Sequence, residues 1–467
     1  MTAKQQLETW FQGRDASLTE AVSRLVRIDS TLGVAAPDQP FGPGPAAALA
    51  EFLAISEEWG LPGENLEGYV GVVDLNDGPD ALHILGHLDV VPAGEGWTVT
   101  EPFVPRLTGG LLYGRGASDD KGPMAAALLA MKAVKELGMP LTKNVRLILG
   151  TDEETAMRDT AWYYSRHPYA PNTLSPDADF PIINIEKGHY QPTFGAKWQA
   201  ETALPRVTAF TGGPRINMVP PRAAAAVQGL EAETVRQTAA GLGLEPEIRF
   251  TVTEIPGGCE ILCSGQNAHG STPEEGHNAQ TALLTLLAAL PLADLPSTNA
   301  IRALCRLFPH GDHVGKALGI AQSDELSGTL SLAFTILRLD ETGFEARFDS
   351  RTPLCGTEET VRAVAEQALT AAGFTVTGKL DPPHHVPADS PFIRLLAEAY
   401  ESWTGQKSAC IAIGGGTYVH DIPGGVAFGA NMPGFACNLH GPDEKVSVED
   451  LMTTAKIYAQ VILELCK

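Results

Sequence analysis

The chain has 467 residues, enough to bury a large core and to form two domains. Hydrophobic residues make up 44% and charged residues 19%, an ordinary globular balance. The net charge of −23 argues against nucleic acid or an anionic membrane as the partner and favours a surface that draws in cations.

The opening residues, Met1-Thr2-Ala3-Lys4-Gln5-Gln6, are polar, and no apolar run reaches the roughly 18–20 residues that span a bilayer. Seven cysteines stand at 259, 263, 305, 355, 410, 437 and 466, an odd number without a Cys-x-x-Cys pair. The expectation is a cytoplasmic protein with reduced thiols and no cysteine-based zinc site.

Residues 18–28 carry Leu18, Val22, Leu25 and Val26 at helical spacing. Residues 70–75, 82–85 and 145–149 are short apolar runs that predict buried strands. Between the last two, residues 122–137 place Met124, Leu128, Met131 and Val134 on one helical face, with Asp119 and Asp120 at the N-terminal end. Strand, helix, strand in this order predicts an α/β unit with a parallel pair. After Glu186-Lys187-Gly188 the chain changes character. Strands are expected at 207–210, 248–252, 329–337 and 343–348, and helices at 279–290 and 358–372. Asp381-Pro382-Pro383-His384 reads as a linker, followed by a helix at 392–400 and a short strand at 426–428.

Three acidic clusters follow three of the apolar segments. His87 and Asp89 lie two apart at a strand end, where alternate residues face the same side. Asp89 is positioned to accept the second ring N–H of His87 and so fix its tautomer. Asp119 and Asp120 follow the turn Gly114-Arg115-Gly116; such acids also serve as helix caps, but one carboxylate can bridge two metals about 3.5–4 Å apart, and Asp119 is the candidate. Glu153 and Glu154 point in different directions, so one can bind metal while the other acts on water. Burial beside other acids would bring a base toward neutral pKa, which gives Glu153 the role of base and Glu154 that of ligand. Open α/β sheets place their sites at such strand ends, and His440, far along the chain, could close the set. A ligand so distant implies a discontinuous first domain, residues 1–187 and 383–467, with residues 188–382 inserted. No Gly-x-Ser-x-Gly, Gly-x-Gly-x-x-Gly or His-Glu-x-x-His motif supports another chemistry.

Three stretches, 86–92 (Gly-His-Leu-Asp-Val-Val-Pro), 114–122 (Gly-Arg-Gly-Ala-Ser-Asp-Asp-Lys-Gly) and 150–154 (Gly-Thr-Asp-Glu-Glu), resemble the co-catalytic zinc hydrolases, which include aminoacylase, acetylornithine deacetylase, succinyl-diaminopimelate desuccinylase and carboxypeptidase G. More narrowly, the chain is similar to the peptidase V dipeptidases, a match that adds Pro176-Asp177-Ala178, Glu186-Lys187-Gly188, Gly414-Gly415-Gly416-Thr417-Tyr418 and His440-Gly441-Pro442-Asp443-Glu444. The resemblance implies an α/β fold, a mixed-sheet zinc-exopeptidase-like catalytic domain with an inserted α+β lid domain. It implies two divalent ions, zinc first and manganese or cobalt as alternatives. One would be held by His87, Asp119 and Asp177, the other by Glu154, Asp119 and His440. Asp177 is preferred over Asp179 by the match to Pro-Asp-Ala.

In the lid, the resemblance makes His269 an oxyanion stabiliser and Asn217 a neighbour of the scissile carbonyl. It makes Arg351 the anchor of the substrate carboxylate, through its guanidinium fork. Gly415 and Gly416 would let the backbone approach substrate. The implied reaction is hydrolysis of dipeptides, with N-acyl-amino-acid deacylation or desuccinylation on the same centre as the alternative. A metal-free scaffold is the remote third reading. The long insertion implies that a monomer suffices.

Overall fold

The apolar run before His87 folds as the strand Asp80–His87, buried at every residue after Asp80. It pairs in parallel with Asn144–Gly150 on one side and Thr173–Ser175 on the other. A strand flanked by parallel neighbours and covered on both faces needs apolar side chains on both, which is why it reads as a continuous run. Helix Lys121–Glu136 makes the crossover between Asp80–His87 and Asn144–Gly150. Val70–Asp74 adds antiparallel to Asn144–Gly150, and Gly425–Ala427 adds parallel to Thr173–Ser175, so the sheet is mixed.

The computed structural model describes all 467 residues. They divide into two compact units: Met1–Ile185 with His385–Ile411 and Gly416–Lys467, and Glu186–His384 with Ala412–Gly415. In the first unit, Lys121–Glu136 packs with the C-terminal helix Val448–Cys466 and with Asp15–Val26 around one core. Ser447 caps the C-terminal helix by accepting from the N–H of Asp450, and Glu449 and Asp450 complement its positive end. Buried residues cover most of that helix's circumference, and the sequence reading assigned no element there.

The second unit is built on an antiparallel sheet. From Arg249–Ile255 it runs through Gly258–Ser264, Arg222–Gln228, Arg206–Gly212 and Ser331–Asp340 to Gly343–Thr352. Helices Ala279–Ala289, Pro296–Leu307 and Ala363–Ala371 supply the other half of its core. A phenylalanine cluster fills the centre, with Phe308 stacked on Phe334 at 4.4 Å and on Phe194 at 5.6 Å. The helix expected at 358–372 opens with a wider turn, Glu358–Arg362, capped by Thr357. Strands Arg222–Gln228 and Gly258–Ser264 and helix Pro296–Leu307 were not anticipated. No helix is long and apolar enough to cross a membrane, and all seven cysteines are free thiols.

Leu128 is wholly buried in the crossover helix. Leu128→Ala should lower unfolding free energy by about 2–5 kcal/mol, read by urea denaturation, because the sheet and two helices around it leave little room to collapse.

Candidate metal centre

The residues at the ends of the first unit's parallel strands converge. His87 ends one strand and sits opposite Gly150, the last residue of the next, so the loop with Glu153 and Glu154 begins beside it. Asp177 follows the strand Thr173–Ser175, and His440 follows Gly425–Ala427. Asp119 lies immediately before helix Lys121–Glu136, for which Asp120 occupies the capping position.

Two groups form. His87, Asp119 and Asp177 bring one ligand atom each within 4.8 Å of one another, and so do Asp119, Glu154 and His440. Asp119 belongs to both, one oxygen to each: Oδ1 lies 3.0 Å from His87 Nε2 and Oδ2 2.9 Å from His440 Nε2. The remaining contacts are His87 Nε2 to Asp177 Oδ2 at 3.6 Å and His440 Nε2 to Glu154 Oε1 at 3.2 Å. Asp179 lies outside both groups, paired along the backbone with Asn431. Glu153, next in sequence to Glu154 and acted on by the charges of Asp177, His87, Glu154 and Asp119, is a member of neither.

Backbone donors hold these loops through buried carboxylates. Asp89 accepts from the N–H of Glu153 and of Glu154, both at 3.1 Å. His87 Nδ1 bonds to the main-chain oxygen of Asp89 at 3.0 Å, with the carboxylate 3.5 Å away. The carbonyl of Asp89 therefore holds the ring from Nδ1 with the carboxylate close behind it, and that same carboxylate also orients the Glu-Glu turn. Glu444 accepts from the N–H of Gly116, Ser118 and Asp119 and pairs with Arg115 Nη1 at 2.6 Å. Asp159 accepts from the N–H of Thr151 and Asp152 and from the Tyr418 hydroxyl at 2.5 Å. Glu444, Arg115, Asp159 and Tyr418 were missed as site-forming residues. Glu444, Tyr418 and Arg115 lie inside the motifs that carry the resemblance and Asp159 does not, but nothing in spacing tells a carboxylate that binds backbone from one that binds a ligand. His440 has φ 56°, in the left-handed region that a non-glycine residue enters at a cost of about 1–3 kcal/mol.

The electrostatics describe a cluster short of positive charge. Burial, then the charge of Asp177, holds the Glu153 carboxyl well above the usual range. Burial and Asp119 push Glu154 to about 7 and Asp177 to about 6. Burial opposes charge on the two imidazoles, yet their carboxylate neighbours prevail: His87 is raised by Asp119, Asp177 and Asp89, and His440 rises to about 11 through Asp119 and Glu154. Burial also works against the Asp119 carboxylate, but His440 and His87 hold it well below the usual range. His87 Nε2 and Glu154 Oε1 are buried and make no aligned hydrogen bond despite the short distances. Orphaned ligand atoms in two nitrogen-and-oxygen sets sharing one carboxylate fit a pair of divalent cations.

The second unit carries the other predicted residues. The backbone of His269 bridges to Met218, and the Gly270 N–H bonds the Asn217 carbonyl at 2.8 Å. His269 Nδ1 faces the N–H of Ser271 at 3.2 Å and its hydroxyl at 2.6 Å. A backbone N–H only donates, so Nδ1 accepts and the ring proton sits on Nε2. Arg351 does not present a fork: its Nε and Nη2 grip Asp349, and Nη1 bonds His189 Nε2 and the Gly414 carbonyl. A Cβ at Gly415 would meet only Ile413 at 3.8 Å, whereas the crowded glycine is Gly414. Gly416 begins the last segment of the first unit.

Residues 83–464 match the model of peptidase family M20/M25/M40. The chain belongs to that family. It is a peptidase, and the family is metal-dependent. It is 35% identical over 456 residues to the putative dipeptidase YtjP of Bacillus subtilis, covering 96% of this chain and 97% of the relative. It is 32% identical over 459 residues to the Beta-Ala-Xaa dipeptidase of Lactobacillus delbrueckii, covering 97% of each. Among solved structures, human carnosine dipeptidase 1 aligns with a TM-score of 0.57 at 17% identity over 98% of both chains. The aminoacylhistidine dipeptidase of Vibrio alginolyticus aligns with a TM-score of 0.58 at 16% identity over 97% of both chains. These two share the fold.

Chelated protein titrated with zinc, manganese or cobalt should take up two equivalents per chain and gain thermal stability with each. Asp119→Ala should remove both equivalents, and His440→Ala only one, measured by calorimetry.

Proposed function

We propose that this peptidase hydrolyses dipeptides at the centre formed by His87, Asp119, Asp177, Glu154 and His440. The observation that carries the reading is the shared Asp119 between two ligand groups, with Glu153, next in sequence to Glu154, a member of neither. The names of the two sequence relatives support the substrate class, and the β-alanyl specificity in one of them extends it to β-alanyl dipeptides.

Two divalent cations bound there, zinc foremost, supply Lewis acidity that polarises a peptide carbonyl and acidifies water. Glu153 takes the proton from the attacking water and delivers it to the leaving amine. Its raised proton affinity suits a group that must hold that proton between the two transfers. Asp89 aims Glu153 and Glu154 by gripping their backbone N–H groups. His269 offers its Nε2–H to the developing oxyanion, in the tautomer that Ser271 sets. Asn217 lies beside it, and Arg351 anchors the substrate carboxylate through the N–H its other partners leave over. Gly415 and Gly416 line the backbone approach. The second unit acts as the lid, a monomer is sufficient, and the reduced cysteines together with bacterial relatives favour the cytoplasm.

The deciding assay compares dipeptides, tripeptides and N-acetyl amino acids on protein reconstituted with each metal. Dipeptide cleavage restored by metal is expected, and cleavage confined to N-acyl substrates would overturn the reading. Glu153→Ala should abolish turnover while two metal equivalents remain bound; loss of both would refute its role as base. His269→Ala should lower kcat by roughly 10²-fold or more with metal content unchanged, and a near-normal rate would remove the lid histidine from the chemistry.

A further inference from the structure

Arg351 is only 5% exposed, and its donors are almost fully used. Nε contacts both oxygens of Asp349 at 3.0 and 3.1 Å, and Nη2 contacts Oδ2 at 2.8 Å. Nη1 reaches His189 Nε2 at 2.9 Å and the carbonyl of Gly414. A guanidinium carries five N–H groups, so a single Nη2 hydrogen remains for substrate. An arginine this constrained does not search for a carboxylate; the carboxylate must arrive where that hydrogen points.

The contacts that hold Arg351 continue to His269 within the same unit. Gly414, which accepts from Arg351, packs so tightly on Ser271 that a Cβ at 414 would lie 2.5 Å from the Ser271 Cβ. Ser271 in turn holds the His269 ring by two donors. On the other side, Asp349 presses on Gly270, where a Cβ would lie 2.2 Å from its Oδ2. Asp349 is wholly buried and also accepts from Gln191 at 2.9 Å. The chain of contacts closes on itself: His269, Ser271, Gly414, Arg351, Asp349, Gly270 and back to His269.

We propose that this ring is a length gauge, in which Ser271, Gly414 and Asp349 are positioning residues that fix the separation between the Nε2–H of His269 and the remaining N–H of Arg351. The proposal rests on the reading above, in which those two groups meet the oxyanion and the terminal carboxylate. The dipeptide of that reading puts one residue between the two groups. A second would carry the carboxylate on by about 3.3–3.6 Å, far outside the few tenths of an ångström that a hydrogen bond tolerates. Rigid spacing of this kind is also what makes small displacements costly to a bound near-reactive geometry.

The test measures kcat/KM for a dipeptide, its C-terminal amide and the tripeptide extended at its C-terminus, on metal-loaded enzyme. Gly414→Ala should lower the dipeptide value by about tenfold or more, the worth of one charge-assisted hydrogen bond. The amide and the tripeptide should change less than about threefold, so that the preference for the short free acid narrows. Adding Ser271→Gly, which removes the clashing Cβ, should return the double variant to the level of Ser271→Gly alone. Asp349→Asn keeps the shape of the ring and should raise KM for the dipeptide with kcat nearly unchanged. It serves equally if Gly414→Ala fails to fold. Equal losses on all three substrates, or no rescue by Ser271→Gly, would overturn the gauge while leaving dipeptide hydrolysis intact. A wild-type enzyme that cleaves tripeptides as readily as dipeptides would overturn both.

Discussion

The centre depends on one carboxylate with a histidine on each oxygen. Asp119 faces His87 through Oδ1 and His440 through Oδ2, and these histidines come from opposite ends of the chain. A carboxylate is the smallest side chain that offers two such sites in one plane, and its reach is short, so its backbone must be held firmly. Glu444 does this by taking three donors of that loop, the N–H groups of Gly116, Ser118 and Asp119, and Arg115, buried beside it, balances its charge. The crossover helix that begins at Lys121 then fixes the loop from the other side.

Around this carboxylate the protein concentrates acids that do not want to be ionised together. Glu153, Glu154, Asp177 and Asp120 are all pushed toward their protonated forms, burial first and the neighbouring negative charges second. Ionising such a cluster is costly, and doubly charged cations relieve that cost. The same carboxylates raise the proton affinity of both imidazoles, the mark of a site that favours positive charge. Affinity for cations is thus built into the surroundings of the ligands as much as into the ligands themselves.

Much of this arrangement was legible in the sequence, for specific reasons. The strand at 80–87 and the helix at 121–136 are long, strongly patterned and covered on all sides, so their apolar spacing carried through to structure. The C-terminal helix also carries the helical period, with Glu449, Thr453, Lys456, Gln460 and Glu464 along one polar stripe and buried residues around the rest, a pattern left without an assignment. The convergence of His87, Asp119, Glu154, Asp177 and His440 follows from strand ends meeting at one edge, which motif order conveys and composition does not. What spacing could not convey was the direction of hydrogen bonds. The Asp89 carboxylate, expected beside the ring of His87, lies 3.5 Å from Nδ1 and in addition holds two backbone N–H groups that spacing does not reveal. Arg351 was read as an open fork and is gripped by Asp349, two residues earlier on the same strand. Both features come from backbone and neighbour geometry that no single-residue pattern encodes.

The carboxylate of Glu444 reaches back more than 320 positions to bind the loop before Asp119. During synthesis the first three clusters leave the ribosome long before residues 440–444, so for most of translation the nascent chain lacks one ligand of the shared centre, His440, and the carboxylate of Glu444. The shared centre therefore stays unfinished until residues 440–444 have been made. A chain terminated before residue 440 lacks both the second histidine and the carboxylate that holds the loop of Asp119.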